Sequence, residues 1–156
     1  MSLTSPLVKF GITATEVLAD TDLSASAKSV QHTLFDESVT PSPATIFSSK
    51  LYALVTGALS IDLRALYGVG AAVLDANGLK VQGFYFKNLG ANNMVIVEGA
   101  SNGYLIFGTA GSLTVLPGGG FCMFFNDGSP DVSGTDKTID VSGTGSQTFE
   151  ASFILG

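Results

Sequence analysis

Tryptophan is missing from this chain, and cysteine and histidine occur once each, at Cys122 and His32. One Cys and one His cannot supply the three or four nitrogen or sulfur ligands of a zinc site. Cys122 has no second cysteine with which to close an intrachain disulfide. It sits inside the most apolar run of the sequence, Phe121-Cys-Met-Phe-Phe125, and reads as a small core hydrophobe rather than a nucleophile. His32 has no serine in a strained Gly-x-Ser-x-Gly turn to serve, which leaves a Ser-His-Asp triad without its nucleophile. The expectation is a non-enzymatic protein with no catalytic, cofactor-binding or metal-ligating residue.

Charge is also scarce. Only 13% of residues are charged, and 7 Lys and Arg against 13 Asp and Glu leave a net charge of −6. The cations Lys9, Lys28, Lys50, Arg64, Lys80, Lys87 and Lys137 stand singly, without the clustering that counterion release from a phosphate backbone requires, so nucleic acid is not expected as a partner. A membrane helix needs ~20 consecutive apolar residues. The best region, Leu51 to Leu74, is broken by Asp62 and Arg64, so no membrane partner is expected. Met1 to Lys9 lacks the basic and apolar regions of a secretion signal.

What the chain has is apolar content and turns. Hydrophobic residues make up 46% of it, with a mean hydropathy of +0.41. Apolar content this high with no spanning run implies burial against copies of itself or another protein. A single domain of this length buries roughly 68–70% of its unfolded surface and needs no disulfide or metal.

Strand-length runs recur along the second half: Lys80–Lys87, Met94–Val97, Gly103–Phe107, Leu113–Leu116, Phe121–Phe125, Lys137–Val141 and Gln147–Leu155. Turn-forming segments separate them, among them Asn88-Leu-Gly-Ala-Asn-Asn93, Pro117-Gly-Gly-Gly120, Asn126-Asp-Gly128 and Ser142-Gly-Thr-Gly-Ser146. That rhythm predicts an all-β antiparallel sandwich. Two further strands are expected around Thr56-Gly57, and a hairpin over 71–81 about Asn77-Gly78. In the last run Phe149, Ala151, Phe153 and Leu155 alternate with Thr148, Glu150, Ser152 and Ile154, so one face is core and the other mostly wet. The uniformly apolar Phe121–Phe125 reads as a central or partner-covered strand.

Residues 1–43 are more polar and end at Pro41-Ser-Pro43, which suits an extended connector. Val30–Phe35 has strand character, and Leu18–Ser29 reads as a short helix or an irregular arm. The segment is either an arm that reaches a neighbouring subunit or a first strand plus surface loop of the same domain. The sandwich domain is expected over 44–156.

Four patterns hint at chemistry. Gly68-Val-Gly-Ala-Ala-Val73 starts like a dinucleotide fingerprint but has valine at the third glycine, and Pro117–Gly120 lacks the Lys-Ser/Thr of a phosphate loop. Asn126, Asp127, Asp131, Asp136 and Asp140 crowd one stretch with oxygen donors that suit calcium, yet the spacing fits no EF-hand and turn formation accounts for them. Tyr52, Tyr67, Tyr85 and Tyr104 would be the sugar-stacking rings of a lectin-like sandwich, with Tyr85 and Tyr104 reading first as packing.

The stretches Ser60–Leu66, Val81–Asn92, Leu113–Phe121 and Ile139–Ser146 resemble small virion structural proteins of tailed bacteriophages. The features are an asparagine turn after a strand, a Pro-Gly-Gly hairpin and an Asp-x-Ser-Gly turn before the closing strand. The likeness covers roughly 56–156 and rests on turn chemistry. It implies a jelly-roll-like head decoration (cement) subunit, commonly trimeric, binding the major capsid protein or another virion protein on the capsid exterior after synthesis in the host cytoplasm. It carries over no site residues. The alternative is a tail, neck or fibre component with a glycan-binding sandwich.

Overall fold

A computed structural model describes residues 7–18, 28–41, 44–109, 111–125 and 129–156. The chain divides into two compact units, Ser5–Thr40 and a body that begins at Pro41.

The first unit is an antiparallel hairpin of β1 (Val8–Leu18) and β2 (Lys28–Val39), with a bulge between Ile12 and Thr13. The strand expected at Val30–Phe35 is therefore the middle of a longer one. Of the segment Leu18–Ser29, its ends belong to these strands and 19–27 fall outside the described residues.

The body contains β3 (Ile46–Ala53), β4 (Ala58–Asp62), β5 (Leu66–Tyr67), β6 (Val73–Leu74), β7 (Val81–Asn88), β8 (Met94–Glu98), β9 (Ser112–Val115), β10 (Gly120–Phe124), β11 (Thr138–Ser142) and β12 (Thr148–Leu155). Eight of them form two four-stranded antiparallel sheets, ordered β10-β7-β12-β3 and β4-β11-β8-β9. Leaving out the short β5–β6 pair, the orders are sixth-third-eighth-first and second-seventh-fourth-fifth. Only the β8–β9 connection stays within one sheet. This is the eight-stranded jelly roll, two Greek keys folded face to face.

Period-two patterning drives the sheets together. In β12 the residues Phe149, Ala151, Phe153 and Leu155 are all buried, as their alternation predicts. From the first sheet Tyr52, Phe84 and Phe86 join them, and from the second come Ile61, Met94, Ile96, Val115, Ile139 and Val141. Aromatic edges and faces organise the centre. Phe86 meets Phe153 edge-on at 5.6 Å, and Tyr52 stacks on Phe149 at 5.3 Å. Such pairs add about 0.5–1.5 kcal/mol each beyond area burial.

Three expectations are corrected. The 71–81 hairpin does not form, because β6 pairs with β5, joining Leu66 to Leu74. Only Gly78 of the Asn-Gly pair takes a positive φ, at 77°, in a turn closed by Leu79 N–H to Ala76 O. Burial of Leu66 and Leu74 at the sandwich edge outweighs the local turn preference. Gly103–Phe107 is not a strand. Gly103 makes one parallel bridge to Thr138, after which the chain turns on itself through Ile106 N–H to Tyr104 O. Of the two readings of Phe121–Phe125, central or partner-covered, the central one fails, since β10 is the outermost strand of its sheet.

Candidate interaction surface

The strand registers fix what the outer face of the first sheet presents. Phe47, Ile154, Gly83 and Phe124 form one cross-strand row, and Ser49, Ser152, Tyr85 and Cys122 form the next. Leu51, Glu150, Lys87 and Gly120 make the third. A wet sheet face alternates polar outward residues with the apolar inward ones. This face departs from that rule at its rim. Phe47 is 50% exposed and Leu51 59%, and Val55, on the same side of the chain just past β3, is 68% exposed. The three line up along this edge, with the exposed, uncharged Ser49 and Ala53 between them. Singly exposed apolar residues need no explanation, whereas contiguous ones mark contact surfaces.

This line runs to one end of the sandwich, where four connections meet: 54–57, 89–93, 116–119 and 143–147. None of these residues is charged, although the chain carries a net charge of −6. Leu89 (42% exposed) and Leu116 (63%) stand on two of the loops. Depletion of charge with exposed aliphatic side chains is the composition of an interface centre.

Buried amides hold these loops in place. Asn88, fully buried at the end of β7, donates from Nδ2 to Asn92 O (2.8 Å) and Val115 O (3.0 Å). Its Oδ1 accepts Gly90 N–H (2.9 Å) and Gln147 Nε2 (2.7 Å). The Asn88 amide thus uses both donors and both acceptor sites. The backbone of Gln147 accepts Leu54 N–H, which brings in the fourth loop. In that loop Val55 and Ala58 exchange backbone hydrogen bonds around Thr56 (φ 50°) and Gly57 (φ 88°). Two positive φ values define a type I′ turn. A Cβ on Gly57 would also lie 3.0 Å from Gly143 O.

The opposite end holds the charged contacts. Lys137 Nζ lies 3.0 Å from Asp62 Oδ2, and Arg64 pairs with Asp75 at 3.1 Å. Hydrogen bonding from the Arg64 guanidinium holds the Asp75 carboxyl below its ordinary range, and the same bond raises the Arg64 pKa. Tyr104 is buried, with its hydroxyl donating to Pro130 O (2.7 Å) and accepting Val81 N–H (3.2 Å). Burial raises its pKa. Beside β3, the Lys50 ammonium sits 3.2 Å from the Tyr67 ring centroid and 5.0 Å from that of Tyr52. Burial, then the neighbouring Tyr67, push the Tyr52 phenol up to about 12.

The sequence-derived candidates do not converge. Asp136 accepts from Ser133 and Thr135 hydroxyls within its own turn, and Asp140 accepts Ala100 N–H at 2.8 Å. Asp131 is exposed beside Lys80, and Asn126 and Asp127 lie outside the described residues. Among the described residues no three His, Cys, Asp or Glu side chains group as metal ligands. The side chain of His32 is not among those described. Of the four tyrosines, Tyr52 and Tyr104 are buried, Tyr67 covers Lys50, and Tyr85 lies half-buried on the outer sheet face. Gly68–Val73 spans a turn and the start of β6, and Pro117–Gly120 is the β9–β10 turn. A shallow cavity of about 490 Å³ on the outer face of β4, β8 and β11 is lined mainly by Ala58, Ser60, Val97, Asp140 and Ser142.

Cys122 requires a correction. It is exposed, on the outward side of an edge strand, and not a core residue. Its inward neighbours Phe121 and Met123 are the ones packed against the core. Sequence reasoning also passed over Asn88 and Gln147. The available signal was the parity of Asn88, an amide two residues after Phe86 on the inward side of β7.

No protein-family model matches this chain, and neither a curated protein nor a solved structure is found to match it.

Proposed function

We propose that this chain is a structural subunit of a bacteriophage virion, a capsid decoration protein that stabilises the shell through protein–protein contacts and assembles as a homotrimer. The observation that carries the reading is the set of exposed apolar side chains Phe47, Leu51 and Val55 together with the uncharged loops bearing Leu89 and Leu116. The jelly roll supports it as a scaffold shared by viral capsid and lectin domains, although a fold by itself assigns no function. Each copy buries part of this surface against a neighbour or the shell, so particle rupture must break many contacts at once. The major capsid protein on the capsid exterior is the proposed partner.

Co-sedimentation with expanded phage shells tests the reading. Bound full-length protein, released by Leu51→Asp, is the expected result. Shells that pellet without the protein would overturn it. The glycan-binding alternative for a tail, neck or fibre component gains no support from the tyrosines, two of which are buried.

A further inference from the structure

An edge strand offers unpaired backbone donors and acceptors that another strand can occupy, and natural proteins blunt such edges with charge, proline, bulges or a covering segment. Three of the four sandwich edges are managed. β3 is covered by β5, with Ser48 Oγ bonded to Tyr67 O at 2.9 Å and Lys50 against the Tyr67 ring. β4 carries Ser60 and ends in Asp62, and β9 is four residues long with Ser112 and Thr114 exposed. The remaining edge is β10, Gly-Phe-Cys-Met-Phe, with no charge, no proline, no register shift against β7 and, among the described residues, no strand paired on its other side.

The pattern of β10 is complementary to itself. An antiparallel pairing centred on Cys122 sets Gly120 opposite Phe124 on the outward face and Phe121 opposite Met123 on the inward face. A large ring beside a glycine and two apolar side chains over the core are favourable cross-strand pairs. A two-fold axis brings identical residues together, and in a chain of net charge −6 an uncharged strand is suited to it.

We propose that β10 pairs edge to edge with β10 of a second copy, joining the two first sheets into one continuous sheet across a two-fold axis at Cys122. The inference rests on the self-association proposed above but names a contact separate from a three-fold one. It links trimers to one another, or pairs chains directly.

The chain carries its own reporter. Opposed residues of an antiparallel pair have Cα atoms roughly 4.5–5.5 Å apart, within the disulfide range. Treating the full-length protein with copper phenanthroline at micromolar concentration should convert most chains to a Cys122-linked dimer. Phe124→Lys, on the outward face of the same strand, keeps the thiol but charges the edge and should slow this by tenfold or more. Amide exchange gives a second reading that does not depend on the variant folding. The amides of 120–124 should gain protection as protein concentration rises, while those of β9 should not. A wild-type oligomer without the cross-link and without concentration-dependent protection of β10 would overturn the pairing while leaving self-association intact. A wild-type chain that stays monomeric would remove both.

Discussion

Gln147 Nε2 lies 2.7 Å from Asn88 Oδ1, and through this contact the loop before β8 is tied to the loop before β12. Because Asn88 also reaches Asn92 O and Val115 O, one amide anchors three connections. An apolar side chain there leaves several buried partners unsatisfied, each costing about 1–3 kcal/mol. Asn88→Leu should therefore destabilise the body by about 2–4 kcal/mol in urea denaturation. A loss below about 0.5 kcal/mol, the range of ordinary surface changes, would show that the network is dispensable.

Thr56 holds φ at 50° in a type I′ turn, a conformation that a β-branched residue disfavours and Asn tolerates. Thr56→Asn should raise the stability of the body by about 1 kcal/mol, read as a higher denaturation midpoint with an unchanged slope. An equal or lower midpoint would mean that the Thr56 hydroxyl, which donates to Val55 O at 2.8 Å, offsets the backbone cost.

Tyr52 ties stability to alkaline pH. Burial raises its folded pKa from 10.0 to about 12. A phenol whose folded pKa is raised contributes its full stabilisation below the unfolded value, and the contribution is lost as pH climbs from about 10 to about 12. Thermal unfolding followed between pH 8 and 11.5 should show a fall in Tm above pH 10 that is shallower in Tyr52→Phe. Parallel slopes in the two proteins would contradict the burial of this phenol.

The sequence revealed the sandwich where a strand had two different faces. The alternation Phe149, Ala151, Phe153, Leu155 defines a buried side unambiguously, and Thr56-Gly57 is the turn it reads as. Reading failed where local and tertiary preferences compete. Asn77-Gly78 is a strong hairpin signature, yet pairing partners are chosen by which side chains find the core, and Leu74 finds Leu66. A wholly apolar run such as Phe121–Phe125 carries no parity to separate a central strand from an edge, so the exposure of Cys122 was not legible. The apolar surface was legible only as an excess of hydrophobic residues. Its placement on β3 and the uncharged loop end depends on the strand order.

The body holds its own core, and Ser5–Thr40 forms a compact unit of its own. Deleting 1–43 should leave a cooperatively folding sandwich, with the near-ultraviolet circular dichroism of its packed aromatic rings intact. The same deletion should weaken binding to expanded phage shells. A shortened protein that binds shells as well as the full chain would show that the arm takes no part in assembly.

Solution mass over a range of concentrations, measured by light scattering on the full chain, tests self-assembly most directly. A stable trimer or a larger particle built from it is the predicted result. A strict monomer up to the highest concentration would contradict it, because the exposed apolar side chains Phe47, Leu51 and Val55 would then face water without seeking a second copy.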